Sequence, residues 1–117
     1  MPVITLHSPL DCPTNEELLG KIANTVTKEL AIPADYCWVL WNKIEHAYKQ
    51  DWLMNPCPAP IVKMVCKQSH SSEKLEALLP KMKQVIARCE GCQEEEIFIC
   101  VQKIERGYLL IRDEVWT

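Results

Sequence analysis

The sequence predicts an α+β protein, an α/β sandwich in which two tandem β-α-β units form a four-stranded mixed sheet with two helices on one face. Three observations predict this fold. The order strand, helix, strand occurs twice, and each helical stretch carries one apolar stripe. The offset between corresponding residues of the two units is also nearly constant, since Pro2 precedes Pro60 by 58 positions and Trp38 precedes Phe98 by 60.

The first unit begins with a predicted strand over residues 3–7. Residues 14–17, Thr-Asn-Glu-Glu, match a capping box and predict the start of a helix. Pro33 ends this helix, and the β-rich run 36–41 predicts the second strand. The apolar stripe of the helix consists of Leu18, Leu19, Ile22, Ala23, Val26 and Leu30.

The second unit begins with a predicted strand over residues 61–66, followed by capping serines between residues 69 and 72. Pro80 lies inside the second helix and predicts a kink, and Gly91 predicts a left-handed cap at its end. The acidic run 94–96 is interpreted as a solvated turn before the last core strand, 97–101. The second stripe consists of Leu75, Leu78, Leu79, Met82, Ile86 and Cys89.

The two strands of each unit should be parallel with a right-handed crossover. Two helices cover only one face of four strands, yet residues 36–41 and 97–101 are apolar at consecutive positions, which is typical of strands buried on both faces. The chain has no further element large enough to cover the second face. We therefore expect an obligate oligomer whose sheets face inward.

Composition excludes several classes of protein. The chain has 117 residues, which suits a single domain over 1–117, with repeat halves at 2–44 and 60–104 and a connector at 45–59. A net charge of -3 gives no basic field for nucleic acid, and the longest apolar run is too short to span a membrane. The 7 cysteines and the lack of a basic leader predict a cytoplasmic protein with reduced thiols.

Pro2 follows the initiator methionine, and the start Met1-Pro2-Val3-Ile4, the duplicated β-α-β pattern and the link 31–36 together resemble the tautomerase superfamily. This superfamily includes the 4-oxalocrotonate tautomerase, macrophage migration inhibitory factor (MIF) and malonate semialdehyde decarboxylase groups. The resemblance covers nearly the whole chain. It implies a homotrimer that tautomerises a small keto or enol carboxylate, with no cofactor and no metal.

The chemistry of Pro2 also follows from the residue itself. A small residue at position 2 favours removal of Met1, which makes the proline nitrogen a secondary amine. Burial disfavours its ammonium form, so the amine can act as a general base or acid near neutral pH. Where Met1 is retained, the same nitrogen is an amide without basicity, and Pro2 is then simply a comfortable start for a strand.

The family holds carboxylates with cations, and here the sequence departs from its pattern. The family's arginine positions fall near Cys12 and Pro13, at Trp38, and near Gln68 and His70, while the lysine of the MIF group falls near Ile32. Residues proposed to bind substrate instead, or to wall the pocket, are Lys63, Lys67, His70, Arg106 and Trp38. The alternative for each cation is a solvated surface charge, and for Trp38 a core or interface position.

Two other readings of the chain stay open. One is a non-catalytic trimeric binding scaffold of the same fold, and the other is a decarboxylase or hydratase that uses Pro2 as an acid. Cys89 and Cys92 form a CxxC at a helix end, where the helix dipole does not activate a thiol, so we interpret it as a turn. Trp116 is expected to dock on a partner subunit.

Overall fold

A four-stranded sheet with the strand order β2-β1-β3-β4 organises the molecule, and a small hairpin follows it. The computed structural model describes residues 2–12, 17–48 and 60–117. In chain order the elements are β1 (Val3–Ser8), α1 (Glu17–Leu30), β2 (Trp38–Lys43), β3 (Ile61–Lys67), α2 (Ser72–Glu90), β4 (Phe98–Ile104), β5 (Leu110–Ile111) and β6 (Glu114–Val115).

Each half of the sheet is a parallel pair, and the two halves meet antiparallel. Val3 pairs with Trp38 of β2 in parallel and with Val65 of β3 in antiparallel register. Ile61 pairs with Phe98 to give the parallel pair β3–β4. The predicted mixed sheet of two β-α-β units is therefore confirmed.

The core lies between one face of the sheet and the two helices. The predicted stripes supply it, since Leu18, Ile22 and Val26 of α1 are buried, as are Leu78 and Met82 of α2. The sheet contributes alternate residues, as expected for strands with one face in a core. These residues are Ile4, Leu6, Val62, Met64 and Cys66.

The other face of the sheet is uncovered in the single chain. Large apolar side chains stand on it with much of their surface open: Trp38 is 55% exposed, Leu40 45%, Ile61 40% and Phe98 57%. Both faces of the edge strands are thus apolar, as their sequences predicted, while the chain's own helices bury only one.

The two helices end in the same way. Gly91 follows α2 with a φ of 67°, and its N–H donates to the carbonyl of Ala87 over 2.9 Å, which confirms the predicted left-handed cap. Ala31 follows α1 with a φ of 55°, although it has a side chain. A single 3₁₀ turn follows each cap, at Ala34–Tyr36 and at Glu94–Glu96.

Tyr36 is placed differently from the sequence prediction. It ends the first 3₁₀ turn, where its N–H donates to the Pro33 carbonyl over 3.0 Å, and the strand begins only at Trp38. β-propensity did not decide here, because Pro33 sets a tight turn before the strand. The predicted capping box at 14–17 lies mostly outside the described residues, as does most of the connector 45–59.

Candidate active site

Pro2 lies at the start of β1, at one edge of the sheet, and is fully buried. Its carbonyl oxygen accepts a 3.0 Å hydrogen bond from the backbone N–H of Trp38. Because β1 is flanked by β2 and β3, and Val3 pairs with Val65, Pro2 shares this edge with the end of β3 at Lys67. Pro2 is thus held directly before a central strand.

A cavity of about 580 Å³ opens at the same edge, between the end of β3, the segment after α1 and the hairpin. Such a volume is ordinary for a small-molecule site. Its apolar and aromatic walls are Ile32, Pro33, Tyr36, Ile111, Val115 and Trp116. Among the described residues, Pro2 is not part of this lining.

Polar groups line the rest of the cavity and give it mixed charge. Two side chains carry permanent positive charge and one is a carboxylate, so cations outnumber anions among the lining side chains. The polar lining residues are Lys67, Ser69, His70, Arg112, Glu114 and Thr117.

Lys67 ends β3 and points to the hairpin. Its ammonium nitrogen lies 5.0 Å from the ring centre of Trp116, a cation–π distance. It is half-buried and lines the cavity. Of the residues predicted to bind substrate, Lys67 and His70 are the two that the structure brings together in this lining.

His70 lies in the turn between β3 and α2, and its N–H donates to the Lys67 carbonyl over 3.4 Å. Burial is the largest cause that lowers the pKa of its imidazole, followed by the positive charges of the amino terminus, Lys74, Lys67 and Lys103. The side chain is therefore neutral at pH 7. The next residue, Ser71, caps α2 by accepting from the N–H of Lys74 over 3.2 Å.

Arg106 contacts the last two residues of the chain, Trp116 and Thr117. Its Nη1 donates to a main-chain oxygen of Thr117, the last residue, over 3.1 Å, and its guanidinium carbon lies 5.2 Å from the centre of the Trp116 ring. Arg106 is not among the described residues that line the cavity. Trp116, expected against a partner subunit, thus contacts two cations of its own chain.

Trp38 and Lys63 stand on the uncovered face of the sheet and are outside the cavity lining of the described chain. Lys63 lies in the middle of the sheet, opposite Thr5 and Cys100. It is four residues before Lys67, a separation of about 13 Å along a strand. The structure therefore separates the predicted site residues into a cavity group and a sheet-face group.

Sequence reasoning missed Arg112. It lies in the turn of the hairpin, and its guanidinium carbon is 4.8 Å from the ring centre of Tyr36. Its link to the site depends on how the hairpin folds back on the sheet edge, for which the local sequence carries no signal.

Thiols near this edge are poor nucleophiles. Burial raises the pKa of Cys37 to about 11, an effect partly offset by the positive amino terminus, and burial also raises the pKa of Cys66. At the end of α2 the pKa of Cys92 is raised by burial and by the neighbouring Glu90 and Glu96. This is the opposite of thiolate activation in a redox CxxC.

Two negative findings concern the described parts of the chain. No group of three or more His, Cys, Asp or Glu side chains there could hold a metal ion. None of the helices described is long and apolar enough to cross a bilayer.

Solved structures share this fold. A fused 4-OT in an asymmetric trimer matches with a TM-score of 0.84 at 11% identity, covering 97% of this chain and 94% of that chain. The MIF of Toxoplasma gondii matches with a TM-score of 0.80 at 14% identity, covering 97% and 99%. Pt0534, in a crystal structure inactivated by 2-oxo-3-pentynoate, matches with 0.80 at 12% identity, covering 98% and 94%.

No family model and no curated protein matches the sequence. The structural matches, all at low identity, define the class of fold. The chain therefore has the fold of the fused 4-OT and MIF structures, as the resemblance in its sequence implied.

Proposed function

We propose that this chain is a tautomerase-like isomerase in which the amine of Pro2, freed by removal of Met1, is the general base and acid. The observation that carries the proposal is the burial of Pro2 at the start of a central strand, at the same sheet edge as a cavity lined by Lys67, His70 and Arg112. An amine buried in such a place loses its hydration, which disfavours the ammonium form and lowers its pKa.

The reaction requires one proton to change places. In the ketonisation of an enol, the protonated amine gives a proton to the carbon beside the developing carbonyl, the enol O–H releases its proton to water, and the neutral amine then regains a proton from water. The reverse reaction removes the proton from that carbon. A positioned base of this kind contributes about 10²–10⁴-fold in rate.

The substrate is a small keto or enol carboxylate. The excess of cations among the lining side chains supports an anionic ligand, and the apolar walls support a small organic body. Inactivation of the structurally similar Pt0534 by 2-oxo-3-pentynoate, itself a 2-oxo acid, supports the same class of substrate.

The functional unit is a homotrimer. The uncovered sheet face, with Trp38, Leu40, Ile61 and Phe98 exposed, supports association. Large apolar side chains exposed on one sheet face are typical of an interaction surface. The trimeric state of the fused 4-OT with the same fold supports the number of subunits.

Two variants test the base. Pro2→Leu keeps Met1, because a large second residue prevents its removal, so nitrogen 2 is an amide. Pro60→Leu is the matched control, since Pro60 is the equivalent residue of the second unit and is equally buried, but its nitrogen is in an internal amide. Ketonisation of the enol of phenylpyruvate is followed by absorbance, and intact mass reports whether Met1 is present.

We expect Pro2→Leu to lose about 10²-fold or more in kcat/KM while Pro60→Leu, once folded, keeps its activity. Equal activity of the wild type and Pro2→Leu would exclude the amine as the base. A wild type that keeps Met1 and has no activity would favour the binding scaffold.

A further inference from the structure

The hairpin β5–β6 carries a cation with no described structural partner other than an aromatic ring. We propose that Arg112, together with Lys67, binds the carboxylate of the substrate, and that the substrate is a monocarboxylate rather than a dicarboxylate. This proposal rests on the proposed function and names the specificity residue of the same cavity.

The position of Arg112 is the first argument. Arg112 and Tyr36 both line the cavity, and the guanidinium lies 4.8 Å from the ring centre. Stacking on a ring fixes the plane of a guanidinium and leaves its N–H groups free at the edge. No carboxylate among the described residues forms an ion pair with Arg112, so these donors remain available for a bidentate ligand.

The backbone of the turn is the second argument. Arg112 and Asp113 have φ values of 52° and 65°, so both central residues of this two-residue turn are left-handed. Such turns favour Asn or Gly, whereas an arginine there is strained. The turn does not explain the arginine, whereas a role for its guanidinium in the cavity does.

Arg106 offers a contrast within the same chain. Its guanidinium already donates to the main-chain oxygen of Thr117 over 3.1 Å and lies 5.2 Å from the ring centre of Trp116. The ammonium nitrogen of Lys67 lies 5.0 Å from the same ring centre. Arg106 thus holds Trp116 in the wall, and Lys67 and Arg112 are the cations that face the cavity.

The charge of the lining sets the charge of the ligand. Lys67 and Arg112 are positive and Glu114 is negative, so these side chains sum to +1, and the main-chain oxygen of the last residue, Thr117, is already held by Arg106. One carboxylate balances this charge. A second carboxylate would meet Glu114 or the apolar walls, where a charge without a partner is costly.

The test measures binding without turnover. Phenylglyoxylate is a 2-oxo monocarboxylate that has no proton on the carbon beside its keto group, so it cannot tautomerise. Its methyl ester removes the charge, and 4-carboxyphenylglyoxylate adds a second one. Isothermal titration calorimetry gives Kd for each probe with the full chain and with three variants: Arg112→Asn, Arg112→Lys and Arg106→Ala.

Arg112→Asn is the decisive variant, because asparagine suits the left-handed turn and keeps the hairpin while it removes the guanidinium. We expect it to weaken phenylglyoxylate binding roughly 10- to 100-fold and to leave the ester unchanged. Arg112→Lys should retain part of the affinity. Arg106→Ala should weaken binding less than about 3-fold, since this arginine supports the wall, and the dicarboxylate should bind more weakly than the monocarboxylate.

Several results would overturn the assignment. They are an undetectable affinity of the wild type for phenylglyoxylate, the same Kd for wild type and Arg112→Asn, and an acid that binds no tighter than its ester. Tighter binding of the dicarboxylate would remove the charge argument. If activity depends on Pro2 but not on Arg112, only the role of Arg112 is refuted and the proposed function stands. If phenylglyoxylate binding depends on Arg112 but the protein has no turnover, the isomerase function is refuted and the anion-binding site stands.

Discussion

The backbone N–H of Trp38 donates a 3.0 Å hydrogen bond to the carbonyl oxygen of Pro2. This bond joins β1 and β2 just before their first paired residues, Val3 and Trp38. The proline ring fixes φ, and the bonded carbonyl fixes the peptide plane that follows. The nitrogen of Pro2 therefore has one direction relative to the sheet, which is the preorganisation that the proposed base requires.

The uncovered sheet face should control assembly. Phe98→Asp places a charge among exposed apolar side chains of that face and should dissociate the oligomer to monomers, because a buried unpaired charge is costly. Light scattering at micromolar concentration measures the mass. Ala77→Asp adds the same charge on the exposed side of α2 and should leave the mass unchanged. A wild type that is monomeric would refute the expected oligomer.

Buried thiols should resist alkylation. Because burial holds the pKa of Cys37 at about 11 and raises that of Cys66, both stay protonated in mildly alkaline buffer. Iodoacetamide should label the exposed Cys12 first, and peptide mass spectrometry reports the order. In denaturant all three should react alike. Labelling of Cys37 in the folded chain as fast as Cys12 would contradict this expectation.

His70 should make the fold sensitive to mild acid. Its pKa is lowered by burial and by nearby positive charges, so the unfolded chain binds a proton more readily than the folded one. The contribution of neutral His70 to the free energy of unfolding is complete above the pKa of histidine in the unfolded chain, about 6.5, and it is lost as the pH falls below that pKa.

We expect urea midpoints of the wild type to fall between about pH 7.5 and 5 more than those of His70→Gln. His46→Gln, at an exposed histidine, is the control and should follow the wild type. Parallel curves for wild type and His70→Gln would show that the imidazole carries no such linkage.

Exchanging alanine and glycine at the two helix caps should change the free energy of unfolding in opposite directions. Ala31 bears a left-handed φ of 55° with a side chain, so Ala31→Gly should raise the free energy of unfolding by about 0.5–1 kcal/mol. Gly91→Ala at the equivalent cap should lower it by about 1–2 kcal/mol. Urea unfolding measures both. A loss of stability in both variants would show that packing, and not φ, determines the first cap.

Periodicity made the layers of this fold predictable. The apolar stripes beginning at Leu18 and Leu75 predict the helices and their buried faces, and the alternation along 61–66 predicts a strand and its buried face. The Gly91 cap is local as well. Boundaries were less certain, as Tyr36 shows, because a proline-led turn and a strand compete for the same aromatic residues.

The site was less predictable than the fold. Lys67 and His70 could be proposed because they follow a strand and precede a helix start. Arg112 could not, since its turn lacks glycine and asparagine and its partner Tyr36 is far away in the chain. The role of Arg106 depends on where the hairpin returns, which is a tertiary property.

The burial of Pro2 also limits when the proposed removal of Met1 can take place. An aminopeptidase must draw the second residue of its substrate into its own cleft, and here that residue is enclosed within a central strand. Trimming therefore has to occur on the nascent chain, ahead of folding. Overproduction that outpaces the peptidase would leave a permanent mixture of trimmed and untrimmed molecules with the same fold and unequal chemistry.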